Sequence, residues 1–273
     1  MQDRWPPDPK DFDTDAYLDR IGHASAVSEN ESCFDRIHRA QAYTIPFENF
    51  DILLDRGIEL GPSAIFDKLV GCRRGGYCFE LNSLLLMALQ AFGFEARPLL
   101  ARVHLGGDPS GRGHMLLLVT LKDRHWIADA GFGGPGLRAP IPLELDRLAE
   151  QDGRRFRLVD GGVFGHMLQT FRVDEWMDLY SFDLGHVIAP DLIYGNHFTS
   201  THPSSFFTFA RVAALPRPDG RVSLLNRSLI VESGAAQREE ELSDDPSYLD
   251  ALREQFGIEL DAPYEALRPL QEY

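Results

Sequence analysis

No stretch of this chain stays apolar long enough to span a bilayer, which takes about 20 consecutive apolar residues. Its opening residues, Met1 to Asp15, hold no basic segment followed by a short apolar one. Both absences lead us to expect a cytoplasmic protein with no membrane partner. Cysteine is scarce: only Cys33, Cys72 and Cys78 occur, an odd set that argues against a disulfide framework. Cys78 follows Cys72 by six positions and no CxxC pair accompanies paired histidines, so no metal site is expected. Positive charge is also in deficit, 27 Lys and Arg against 42 Asp and Glu, a net charge of -15. This argues against general binding to nucleic acid or an anionic membrane, because phosphate backbones must be neutralised by clustered cations, and no nucleic-acid partner is expected. An anionic cofactor would need a local basic or amide-lined site. Internal repeats and low-complexity tracts are missing too.

What is present is globular in character, 44% hydrophobic and 25% charged over 273 residues, enough for two or three subdomains sharing a core. From Asp15 to about Gly93 the apolar residues recur at helical spacing, as in Tyr17, Ile21, Cys33, Phe34 and Ile37, with breaks at Pro46, Gly57 and Pro62. The last of these helices starts near Cys78. Its residues Phe79, Leu81, Leu84, Leu85, Ala88, Leu89 and Phe92 form a broad apolar face, and Gly93 suits its C-terminal cap. Beyond Gly93 come β-like runs bounded by turn residues: ARPLLARVHL, GHMLLLVTL, HWIADAGF, RRFRLV and MLQTFRV. They read as an antiparallel sheet or small barrel. SSFFTFARVAAL and RVSLLNRSLIVES then flank the hairpin signal PRPDG, and DPSYLDALREQF reads as a helix with Pro246 at its first position.

The stretch RRGGYCFELN places Cys78 directly after two glycines, in the first turn of the core helix. Exposed backbone amides and the positive end of the helix dipole favour thiolate over thiol there. Gly75 and Gly76 would permit tight backbone geometry and close approach of a substrate, and neighbouring amides could bind an oxyanion. Cys78 can equally be a small core residue beneath a turn, so its partners decide. His114 opens one β-run and Asp129 closes the next, around the turn Lys122-Asp123-Arg124. A turn centred between Lys122 and Asp123 sets Asp129 diagonal to His114; a one-residue shift on each side sets them directly opposite. In either register the two share a sheet face. Cys78, His114 and Asp129 thus supply nucleophile, base and orienting acid. The eight other histidines, His38 and His202 among them, compete as bases, and for most nothing local supplies an orienting acid.

RGGYCFELN, IPFENFD, HMLLLV, DAGFGGPG and STHPSS occur in this order over most of the chain, and together they resemble the arylamine N-acetyltransferase family. The resemblance implies an α+β fold: an N-terminal helical bundle (1–93) with the nucleophile, a central antiparallel β-barrel (94–200) with His and Asp, and a C-terminal α/β lid (201–273), around a cysteine-protease-like Cys-His-Asp core. It implies acetyl transfer from acetyl-CoA, without a metal, to an arylamine, arylhydrazine or N-hydroxyarylamine, by way of acetyl-Cys78. His114 is then the base and Asp129 the orienting acid. Gly131, Gly133, Gly134, Thr201 and His202 are the implied cofactor contacts, and Phe47, Phe132 and Phe207 the aromatic walls around the acceptor. Arg74, Glu80 and Asn82 belong to the same motif and would brace the site, unless they form only a solvated salt bridge. Ala130 stands where the family usually has valine, a small exchange. Phe206-Phe207 follows HPSS where polar residues are usual, which bears on the acceptor. An amide synthase taking a carrier-bound acyl or polyketide donor, a transglutaminase-like or hydrolytic enzyme with the same triad, and a binding module without turnover are the other readings. A monomer or homodimer is expected.

Overall fold

The computed structural model describes residues 9–105 and 107–270; residues 1–8, from which the expectation about a leader is partly read, lie outside these. The first third carries α1 (Thr14–Arg20), α2 (Glu31–Thr44), β1 (Phe47–Glu48), α3 (Phe50–Leu53), α4 (Pro62–Phe66) and α5 (Cys78–Ala91). A π-helical turn, Asp67–Gly71, extends α4. Asn30 caps α2 by accepting from the Cys33 amide at 2.9 Å. The helix stops at Thr44 because Ile45, held extended, precedes Pro46. α5 is the central post. Every residue from Cys78 to Leu89 is buried, polar Glu80, Asn82 and Ser83 included, as expected of a helix enclosed on all sides. Gly93, with φ of +92°, turns the chain out of it.

Eight strands follow: β2 (Glu95–Val103), β3 (His114–Leu121), β4 (Arg124–Ala128), β5 (Ile141–Pro142), β6 (Ala149–Gln151), β7 (Arg154–Asp160), β8 (His166–Arg172) and β9 (Glu175–Phe182). They form one antiparallel sheet, in the order β5-β4-β3-β2-β9-β8-β7-β6, that nearly closes into a barrel. The β-runs read from the sequence after Gly93 lie in this sheet. The sequence reading does not find β9, because the chain enters it through Val173 and Asp174 at φ of +48° and +63°, and a β-branched residue is no turn signal. Helix α6 (Ala189–Thr201) also goes unread: Asn196, Thr199 and Ser200 outnumber Leu192 on its buried side, so its apolar periodicity is weak.

The last part contains β10 (Val212–Arg217), β11 (Gly220–Leu225), β12 (Ser228–Ser233), β13 (Ala236–Glu241) and α7 (Ser247–Phe256). Three expectations change here. SSFFTF is not strand but includes a 3-10 turn at Phe206–Thr208, so the strand begins only at Val212. RVSLLNRSLIVES is two strands folded at Asn226, whose φ of +55° suits asparagine in a tight turn. Pro246 caps α7 rather than opening it. β13 escapes periodicity because all its residues are exposed and most are charged. The sheet order is β1-β10-β11-β12-β13, so β1 from the helical third forms one edge of the C-terminal sheet through Phe47 and Glu48. Among the described residues no helix is long and apolar enough to cross a membrane.

Candidate active site

The glycines before Cys78 prove to be a packing requirement. A Cβ on Gly75 would stand 2.3 Å from the Pro46 carbonyl oxygen, and one on Gly76 would stand 2.8 Å from Glu80 Oε2. The close approach expected for a substrate is therefore made by the protein's own backbone, the Glu48 amide donating to the Gly76 carbonyl at 2.9 Å. Glu80 Oε2 accepts from the Tyr77 amide at 3.0 Å and closes the N-terminus of α5, while its Oε1 takes Lys68 Nζ at 2.7 Å. Lys68 also binds Asp51 at 2.6 Å, and Arg74 grips Glu48 Oε1 through Nε and Nη2 at 3.0 and 2.7 Å. This is a buried ion network rather than a solvated salt bridge. Burial pushes the Glu80 carboxyl up, offset in part by Lys68. Burial would lower Lys68, yet Glu80, Glu48 and Asp51 hold it above its ordinary value.

The β3–β4 turn is centred between Lys122 and Asp123, with Leu121 opposite Arg124, so the diagonal register is the one adopted. Asp129, just past the end of β4, comes into line with Leu116 and places Oδ2 2.8 Å from His114 Nε2. Nδ1 remains for Cys78, whose Sγ also lies 3.8 Å from the Gly113 carbonyl oxygen. Cys78, His114 and Asp129 are 4%, 3% and 1% exposed, so little water competes for these contacts. Burial alone would lower the His114 pKa; the Asp129 carboxylate outweighs it, Cys78 adds to the effect, and the imidazole is raised to about 10. Burial would raise Asp129, but His114, Asn82 and the Gly131 amide hold it below the ordinary carboxylate range. Asn82, one turn into α5, donates Nδ2 to Asp129 Oδ1 at 2.9 Å and to the Met115 carbonyl at 2.7 Å. Its Oδ1 accepts from the Ala130 amide at 3.0 Å.

Two rings enclose the imidazole: Phe132 and Tyr180 each have centroids 5.0 Å from His114. Tyr180 belongs to the unread strand β9 and escapes sequence reasoning for that reason. Phe47 lies 5.8 Å from Phe207, which in turn meets Tyr77 at 6.1 Å. The loop after Asp129 holds the three glycines: a Cβ on Gly131 would come within 3.0 Å of Cys78 Cα, Gly133 has φ of +82° beside Phe47, and Gly134 packs on Arg221. A cavity of about 10 Å³ remains between Phe47, Phe132, Gly133 and Ala214. Thr201 and His202 stand apart at the exposed end of α6. Thr201 Oγ1 donates to the His197 carbonyl, and the His202 ring stacks on Phe198 at 4.5 Å.

Of the competing histidines, His38 is buried with both ring nitrogens engaged by backbone groups. His104 faces Ser181, His125 faces Thr120 and His202 faces Ser204. A larger cavity, about 700 Å³, opens beside the Lys68–Glu80 pair. Its lining sets Asp51, Glu59, Asp67, Glu80, Glu259 and Asp261 against Arg56, Lys68 and Arg74, which disfavours an anionic ligand. Among the described residues no group of His, Cys, Asp and Glu is placed to hold a metal ion.

Comparison with known proteins adds to this geometry. The sequence profile of the N-acetyltransferase family matches residues 32–264. The chain is 37% identical to the arylamine N-acetyltransferase of Escherichia coli (strain K12) over 249 residues, covering 90% of this chain and 88% of that protein. It is 39% identical over 226 residues to a Salmonella typhimurium protein named arylamine N-acetyltransferase / N-hydroxyarylamine O-acetyltransferase, covering 81% of this chain and 80% of that one. Among solved structures, the Mycobacterium marinum arylamine N-acetyltransferase in complex with CoA superposes with a TM-score of 0.88 at 33% identity, covering 94% of this chain and 97% of that one.

Proposed function

This chain belongs to the arylamine N-acetyltransferase family, and on that premise we propose that it moves an acetyl group from acetyl-CoA to an arylamine, arylhydrazine or N-hydroxyarylamine through acetyl-Cys78. His114 is the base and Asp129 its orienter. The observation that supports this most is the buried 2.8 Å contact of His114 Nε2 with Asp129, which leaves Nδ1 for Cys78. The Cys78 thiolate adds to the thioester carbonyl; the bond to CoA sulfur breaks, and His114 protonates the departing CoA thiolate. The acceptor nitrogen then attacks acetyl-Cys78 and passes its proton to His114. The bond to Cys78 breaks, returning thiolate and imidazolium.

Phe47, Phe132 and Phe207 would receive the flat acceptor. The loop of Gly131, Gly133 and Gly134 beside Cys78 would receive the acyl and pantetheine end, and the exposed Thr201 and His202 suit the solvated end of CoA. The division into 1–93, 94–200 and 201–273 is part of the proposal: the first two units supply the triad and the third closes over it. The unpaired state of Cys33, Cys72 and Cys78 supports a reducing, cytoplasmic setting. The test is digestion of protein exposed to acetyl-CoA without acceptor, followed by peptide mass spectrometry. Acetyl-Cys78 is expected; label elsewhere, or nowhere, sinks the proposal.

A further inference from the structure

We infer that His38 is a positioning residue for acetyl transfer: a neutral imidazole on α2 that holds the backbone of Asp129 and, through it, the carboxylate that orients His114. The inference rests on the triad proposed above. His38 is fully buried. Its Nε2 accepts the Asp129 amide at 3.0 Å, and its Nδ1 lies 3.2 Å from the Arg138 carbonyl oxygen. These partners dictate one tautomer. An amide hydrogen facing Nε2 requires a lone pair there, and a carbonyl facing Nδ1 requires a proton. The ring is therefore held neutral with no free nitrogen, which removes it as a base. Burial, which lowers its pKa to about 4, keeps it so at neutral pH.

The place of these two contacts matters. Strand pairing ends at Leu117 opposite Ala128, so the Asp129 amide is the first beyond the ladder, and His38 supplies the partner the sheet does not. Arg138 lies near the far end of the loop 129–140, which joins β4 to β5 and carries Gly131, Phe132, Gly133 and Gly134. Gln151 grips the same end, its Oε1 accepting the Arg138 and Ala139 amides at 2.8 and 3.1 Å. One stiff side chain thus holds the first residue of the loop and a point three residues before β5. Asn82 fixes the Asp129 carboxylate from α5, and His38 fixes its main chain from α2. With either hold lost, Oδ2 can drift from His114 Nε2, and misplacement by about 1 Å from a remote change can cost about 10²-fold in rate.

The experiment uses two substitutions that split the imidazole. The amide of His38→Gln reaches the Nε2 position and can accept from Asp129; that of His38→Asn reaches only the Nδ1 position and can donate to Arg138. Single-turnover acetylation of Cys78 and the pH profile of its alkylation are measured in both. We expect His38→Gln within a few-fold of wild type, and His38→Asn about 10²-fold slower with a displaced profile. Equal behaviour of two folded variants, or a wild-type profile in His38→Asn, overturns the inference. Nitrogen-15 NMR of histidine-labelled wild type supplies a measurement free of folding defects: Nδ1 protonated and Nε2 bare is expected for His38, and the reverse overturns it. If wild type forms no acetyl-Cys78, the triad fails while the tautomer result stands, so the two failures are distinct.

Discussion

Replacing Asp129 by asparagine should cost far more than the loss of one charge, because the surroundings dictate which way the new amide turns. Asp129 Oδ1 receives two donors, Asn82 Nδ2 and the Gly131 amide, both at 2.9 Å. The asparagine oxygen must therefore occupy the Oδ1 position, since the flipped amide would face two donors with a third. Its NH2 group then points at His114 Nε2, which turns from donor to acceptor and sends its proton to Nδ1, the side of Cys78. An imidazole in that tautomer cannot take a proton from the thiol. Comparable mis-setting in a related triad costs about 10⁴ in kcat, or about 5.5 kcal/mol of transition-state stabilisation. The charge effect adds a second signature. His114 is raised from 6.5 to about 10, so its pairing stabilises the fold fully below about pH 6.5 and is lost as pH rises through about 10. That contribution has an upper limit near 5 kcal/mol. In Asp129→Asn the main cause of the shift is gone, and this alkaline loss of stability should largely vanish. The assay is Cys78 alkylation by iodoacetamide across pH, with turnover and circular dichroism on the same samples. The two profiles should differ, because only wild type has the Asp129 carboxylate that orients and charges the imidazole facing the thiol. Identical profiles and rates in two equally folded proteins would remove Asp129 from the mechanism and refute the orientation argument.

Four further outcomes follow from the same contacts. Gly75→Ala should lower stability by about 1–3 kcal/mol or more in urea unfolding, and exceed Gly76→Ala, because the added Cβ meets the Pro46 backbone at 2.3 Å rather than a side chain. Arg74→Met should cost about 3–5 kcal/mol by leaving the buried Glu48 unpaired, and adding Glu48→Gln should recover part of that. His38, lowered from 6.5 to about 4, should make the fold lose up to about 3 kcal/mol as pH falls from 6.5 to 4, since only the unfolded chain takes up that proton; His38→Gln should flatten the slope. On the acceptor role proposed for Phe207, which packs with Phe47 and Tyr77, Phe207→Ala should raise KM for a bulky arylamine about tenfold but barely affect hydrazine; equal shifts for both acceptors would place the ring elsewhere.

By itself the sequence determined what depends on neighbours along the chain. The helix starting near Cys78 follows from apolar spacing and from Gly93 beyond its end, and the shared face of His114 and Asp129 follows from a two-residue turn and the period of a strand. The family motifs carried the overall fold class as well. What only the tertiary structure decided lies far apart in sequence. His38 and Asn82 meet Asp129 across 91 and 47 residues, Phe47 is aligned by a strand that pairs with Ala213 and Ala214, and Tyr180 arrives on a strand whose turn has no local signal. The reason is physical: caps, turns and periodicity are written in consecutive residues, whereas a buried histidine or phenylalanine looks the same in sequence whether it fills space or holds a catalytic group. Its backbone partners, supplied by packing, make the difference.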